Sequence, residues 1–165
     1  MKITLYSFTL ICAVLLSGLS AGLFYAWQVS VIPGTRRVLS MTYLETMQAI
    51  NRAILNPAFF LVFFGCLILF AISTFQHYQS GATFYLLLGA TLTYLIGTFS
   101  VTVLGNVPLN DALDVMELAE LTAEQAGDFR RHYELKWNRF HLIRTIFSVL
   151  SFLFGLLALL NTAQQ

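Results

Sequence analysis

Trp137, His141, Arg144, Ser148, Ser151 and Gly155 recur at spacings of 4, 3, 4, 3 and 4, the step that places side chains along one face of a helix. The stripe starts aromatic and cationic and becomes small and weakly polar further on. An imidazole with an unperturbed pKa of about 6.5 can exchange a proton near neutral pH. A guanidinium three residues away can hold an anion, and an indole can stack on a flat ring. Taken singly, Trp137 fits an interfacial aromatic belt and Arg139 a cation that snorkels to water. Taken together, Trp137, His141 and Arg144 cannot face hydrocarbon without exposing charge to it, so the stripe points into the interior of a bundle.

Other polar groups converge on the same end of the chain's elements. Asn106 and Asn110 bracket Pro108, and amides at a helix break near membrane depth must be capped or line a cavity. Capping accounts for Asn110 more readily than for Asn106. Gln48 and Asn51 stand three apart beside Arg52, and the first apolar run ends at Trp27-Gln28 near Pro33-Gly34. The candidate site is therefore His141, Arg144 and Asn106 as reacting or polarising groups, with Trp137, Trp27, Gln48, Asn51 and Asn110 as groups that bind the ligand. Tyr94, Thr98 and Thr102 form a weaker stripe, because hydroxyls in membrane helices commonly bond back to their own backbone.

Some chemistries are excluded. The chain has no HExxH, no CxxC pair and no glycine-rich phosphate loop, and the separation of His132 from His141 without a third ligand argues against a metal site. Cys12 and Cys66 fall inside apolar runs and read as small buried residues. The net charge of +1 offers no basic surface for nucleic acid. No apolar run holds an acid of the kind a proton-coupled transporter uses.

The elements that must position these residues follow from where charge is missing. All 8 acidic residues and all basic residues except Lys2 lie in Arg36 to Arg52 or Asp111 to Arg144. A charge at the bilayer centre costs about 2.5–3.5 kcal/mol, so the long charge-free runs point to lipid. A spanning helix needs about 20 apolar residues, and the runs supply four: residues 5–32, 57–75, 82–104 and 142–160. The expected fold is all-α, an integral membrane four-helix bundle forming one domain over residues 1–165. Short amphipathic interfacial helices are expected in the 1–2 and 3–4 connections.

Finer boundaries can be read as well. Thr42-Tyr43-Leu44-Glu45 fits a capping box opening a helix from Tyr43 to about Leu55. Asn56-Pro57 opens the second span. Pro108 ends the third, Asn110 caps a short helix from Asp111 to about Glu120, and a second box at Thr122 to Gln125 starts a helix running into the fourth span. Gly18 and Gly22 form a GxxxG suited to close helix packing. Residues 17–22 resemble a signal-peptide cleavage region, but the apolar character continues to Ile32, as in a retained span. Both charged segments follow an odd-numbered span and so share one face. By the positive-inside rule that face is cytoplasmic, in a cell or inner membrane, with both termini outside.

Four blocks of the chain resemble a known family. They are Gly22-Leu23-Phe24-Tyr25-Ala26-Trp27 with Pro33-Gly34, Gln48 through Pro57, Asn106-Val107-Pro108-Leu109-Asn110, and Trp137 through Thr145. In combination they resemble the anthrone oxygenase-like family of small four-span membrane proteins. The resemblance implies oxidation of an anthrone by molecular oxygen without a metal or flavin, hence no cofactor. It also implies a lipophilic aromatic or phenolic substrate arriving from the bilayer, and leaves room for a homo-oligomer. On that expectation His141 is the base, Arg144 holds the enolate oxygen, Trp137 stacks on the ring, and Asn106, Asn110, Gln48 and Asn51 orient polar substituents. His141 stands where the family pattern leads one to expect asparagine. The alternative reading is non-catalytic: a lipophile carrier, or an accessory subunit of a larger complex.

Overall fold

The computed structural model describes residues 4–164. Lys2, the one charge assigned to the opposite face, lies outside them. Four helices are long and apolar enough to cross a membrane: α1 (Leu5–Thr35), α3 (Pro57–Gln76), α4 (Ala82–Asp114) and α5 (Ala123–Ala163). A shorter helix, α2 (Ser40–Ala53), joins the first two. Among the described residues there is no strand. The fold is the all-α four-span bundle expected.

Local chemistry explains most of the ends. Thr4 accepts the backbone N–H of Ser7 to open α1. Asn56 accepts that of Phe59 ahead of Pro57 in α3, and both bonds of the Thr122–Gln125 capping box are present at the start of α5. Gly81 turns the chain between α3 and α4 with φ +53°, a conformation that costs other residues steric strain. The 41 residues of α5 make about 62 Å of helix, twice the roughly 30 Å apolar core of a bilayer. Its charged N-terminal turns therefore stand clear of the hydrocarbon.

Several boundaries differ from expectation. The box at Thr42 and Glu45 is absent: α2 begins at Ser40 with Leu39 as an extended N-cap. The Tyr43 N–H already bonds the Leu39 carbonyl, which leaves Thr42 no helix start to cap. Pro108 does not end the third span, nor does Asn110 cap a helix from Asp111 to Glu120. Helix α4 runs on to Asp114, and only a 3-10 turn, Leu118–Glu120, follows. The cause is a change of hydrogen-bond step. Over Tyr94–Ser100 and again over Thr102–Asn106 the bonds span five residues, a π-helical turn, and Pro108 falls in the first turn of the α-helix that resumes after it. A proline there loses no bond. The same device operates in α1, where Trp27–Val31 is π-helical and Pro33 follows.

Helix α1 packs against α3 and α5, and α4 against α3 and α5, around a core of Leu10, Phe63, Cys66, Phe70, Leu87 and Tyr94. Close approach occurs at Gly155, where an added Cβ would sit 2.6 Å from the ring of Phe70. The GxxxG motif is only half used. Gly18 lies against the Phe152 ring, whereas a Cβ added at Gly22 would meet no neighbouring helix within 4 Å. Cys12 and Cys66 are free.

The charged segments meet at one end. Helix α2 lays Tyr43, Leu44 and Met47 onto Leu113, Leu118, Ala126, Tyr133 and Trp137. Arg130 pairs with Glu134 at 2.8 Å and donates to the carbonyls of Thr35, Arg36 and Val38. Arg52 pairs with Asp114. This collar closes the end of the bundle around the polar half of α5.

Candidate functional site

The α5 stripe faces inward along its whole length: Trp137, His141, Arg144, Ser148, Ser151 and Gly155 are all buried. His141 is fully buried, and Arg144 is 8% exposed. The Arg144 guanidinium donates to His141 Nδ1 from Nη2 at 2.9 Å and from Nε at 3.2 Å. An arginine only donates, so Nδ1 must be the accepting nitrogen and the ring proton sits on Nε2. Nε2 in turn donates to the Phe24 carbonyl at 3.1 Å. That carbonyl lies one turn before the π-helical step of α1. Both imidazole nitrogens are thus engaged, and the ring is neutral.

Aromatic rings surround this pair. Trp137 stacks on His141 with centroids 5.0 Å apart and planes 6° from parallel. Trp27 leans against both, and Phe24 meets the imidazole edge-on. The guanidinium carbon lies 4.6 Å from the Phe24 ring centre and 5.1 Å from that of Trp137. Arg144 makes no ion pair among the described residues.

Beside this cluster is a cavity of about 90 Å³, smaller than the roughly 300–1,000 Å³ of a preformed small-molecule site, so a tricyclic ligand must widen it on entering. Leu23, Phe24, Trp27, Ile50, Ile54, Leu55, Phe59 and Val107 give it apolar walls, while Asn51, Thr102, Asn110, Trp137, His141 and Arg144 supply its polar groups. Asn51 and Asn110 are tied together through a residue the sequence reading did not select. Asn51 Nδ2 bonds the Tyr133 hydroxyl at 3.1 Å, that hydroxyl bonds Asn110 Oδ1 at 3.2 Å, and Trp137 Nε1 donates to the same Oδ1 at 2.9 Å.

Six of the eight residues singled out from sequence line this cavity: Trp27, Asn51, Asn110, Trp137, His141 and Arg144. Two do not. Asn106 is buried under α5, where its Nδ2 donates to the Trp137 carbonyl and its Oδ1 has no partner. Gln48 turns toward the end of α4 and donates to the carbonyls of Leu113, Asp114 and Met116. It satisfies a helix terminus that Pro108 failed to break. Phe24 contributes a backbone carbonyl, a role that carries no residue-type signal. Tyr133 had one, since it precedes Trp137 by four and continues the same stripe.

Residues 45–154 match the family model described as Anthrone oxygenase. No curated protein and no solved structure matches the chain.

Proposed function

The chain belongs to the anthrone oxygenase family, and on that premise we propose that it is a membrane-embedded oxygenase, independent of any cofactor, for a lipophilic anthrone-like or phenolic substrate. The observation that carries this reading is Arg144: a buried guanidinium on the wall of an apolar cavity, with two aromatic faces and a neutral imidazole for company and no carboxylate. A buried cation left without a counter-charge is costly. It is the arrangement that stabilises a negative charge arising beside it in a water-poor site.

An anthrone has an acidic CH2 conjugated to a carbonyl. Its oxygen, on entering, draws Arg144 off His141 Nδ1. The released lone pair accepts the C–H proton, and the negative charge collects on the oxygen held by Arg144. The carbanion combines with dioxygen, the imidazolium returns its proton to the peroxide, and loss of water leaves a new carbonyl. One oxygen atom ends in the product and the other in water, with all electrons supplied by the CH2 group. Trp137 and Trp27 hold the flat ring, and entry is lateral, from the bilayer past Leu23, Ile54 and Leu55.

Purified protein in lipid nanodiscs tests this. With anthrone it should consume dioxygen and release anthraquinone one for one, well above the uncatalysed rate. Tight binding without turnover would establish instead a lipophile carrier, the reading favoured by the engagement of both His141 nitrogens. The arginine-rich collar supports a cytoplasmic placement with both termini outside. In intact cells expressing a variant free of Cys12 and Cys66, an impermeant maleimide should label Gln79→Cys and spare Arg131→Cys. Labelling of both would overturn the four-span topology.

A further inference from the structure

We infer that Tyr133 is a positioning residue that fixes the polarity of the cavity's amide edge, so that the cavity selects a ligand donating a hydroxyl to Asn51 and presenting an acceptor to Asn110. This rests on the cavity being the substrate site.

The argument begins with the indole. Trp137 Nε1–H can only donate, so the Asn110 atom it meets at 2.9 Å is the oxygen, and the orientation of that amide is settled. The same oxygen lies 3.2 Å from the Tyr133 hydroxyl. Two oxygens at that distance need a proton between them, and only the hydroxyl has one. Tyr133 having given its proton to Asn110, it can only accept from Asn51, whose facing atom is therefore Nδ2. Each bond dictates the next, from Trp137 through Asn110 and Tyr133 to Asn51.

What remains is a fixed pair of unused groups: Nδ2 of Asn110, a donor, and Oδ1 of Asn51, an acceptor. Neither has a hydrogen-bond partner among the described residues, and both residues line the cavity together with Arg144. Without the tyrosine hydroxyl, the Asn51 amide can turn over and offer donor or acceptor equally. Tyr133 is itself held, 2% exposed, with Phe129 stacked on its ring and Tyr43 at its edge.

Both tryptophans of the chain line the cavity, so quenching of intrinsic fluorescence reports binding directly. The probes are anthrone and an anthrone carrying a hydroxyl beside its CH2 group, where it cannot bond its own carbonyl, titrated into protein in nanodiscs. Wild type should bind the hydroxylated probe about tenfold more tightly, the worth of one well-placed hydrogen bond. Tyr133→Phe should bind unsubstituted anthrone as wild type does and lose the preference. Asn110→Asp should preserve both accepted bonds, since each carboxylate oxygen accepts, yet it turns the free donor into an acceptor. It should weaken the hydroxylated probe about tenfold or more while melting as wild type does. Equal wild-type affinity for the two probes, a preference retained in Tyr133→Phe, or unchanged affinity of Asn110→Asp for the hydroxylated probe would each overturn the proposal and leave the cavity as a binding site. Absence of quenching by either probe would overturn the cavity assignment and the proposal with it.

Discussion

Helix α5 carries two largely buried arginines in opposite circumstances. Arg130, in the collar, is surrounded by negative or electron-rich partners: the Glu134 carboxylate and three backbone carbonyls at the end of α1. It also lies over the Tyr43 ring, whose hydroxyl is pushed above its ordinary pKa by burial and then by Glu134. Arg144, in the cavity, has only a neutral histidine to donate to. The first arginine spends its hydrogen bonds on holding α1, α2 and α5 together. The second keeps its charge unanswered at a cavity wall. Burial alone does not mark a functional arginine; burial without compensation does.

Substitutions can sharpen or break that contrast. The largest effect is expected for His141→Asn, which removes the proton acceptor but retains hydrogen bonding. Turnover of an anthrone should fall by roughly 10²–10⁴, the range for one acid–base group, with the thermal midpoint little changed. Full activity in this variant would show that no proton passes through position 141. Arg144→Leu should cost roughly 10²–10³ in turnover, as for the loss of one oxyanion donor. Because an uncompensated charge leaves the interior, its thermal midpoint should equal or exceed that of wild type. A steep loss of stability would mean that Arg144 is as structural as Arg130. Arg130→Leu should invert the pattern: about 3 kcal/mol less stable, since Glu134 keeps only Arg36 at 3.9 Å and three carbonyls at the end of α1 lose their donor, with normal turnover in the fraction that remains folded. Smallest is Gln48→Leu, expected to lose about 1 kcal/mol of stability with no change in anthrone affinity. A changed affinity would return Gln48 to the site.

The architecture was legible because lipid is a harsh filter: charge-free runs and the Asn56-Pro57 and Thr122–Gln125 starts located all four spans. What escaped was the helical step. Nothing in the residue types around Thr102 or Trp27 announces a π turn, so Pro108 read as a terminus and Asn110 as a cap. Thr42 and Glu45 had the right residues for a capping box, but the helix had already begun at Ser40. Within the site, side chains that share a face of α5 were legible from their spacing. Partners supplied by the backbone were not: Phe24 acts through its carbonyl, and Gln48 was drawn away by three others. Asn106 was selected for its place beside Pro108, and it packs beneath Trp137 instead of reaching the cavity.

A π turn accommodates one residue more than the α turn it replaces, so Thr102–Asn106 is equivalent to a single residue inserted into α4. Wound with the ordinary α step over that stretch, the same residues would carry everything beyond it round by about 100°. Asn110 would swing away from Trp137 and Tyr133 although every amino acid named in the site was still present. The geometry depends on the helical step as well as on identity. Leu104, 78% exposed on the outer face of this stretch, shows the distinction: many side chains would serve at that position, but the peptide unit beneath it keeps the two helices in phase.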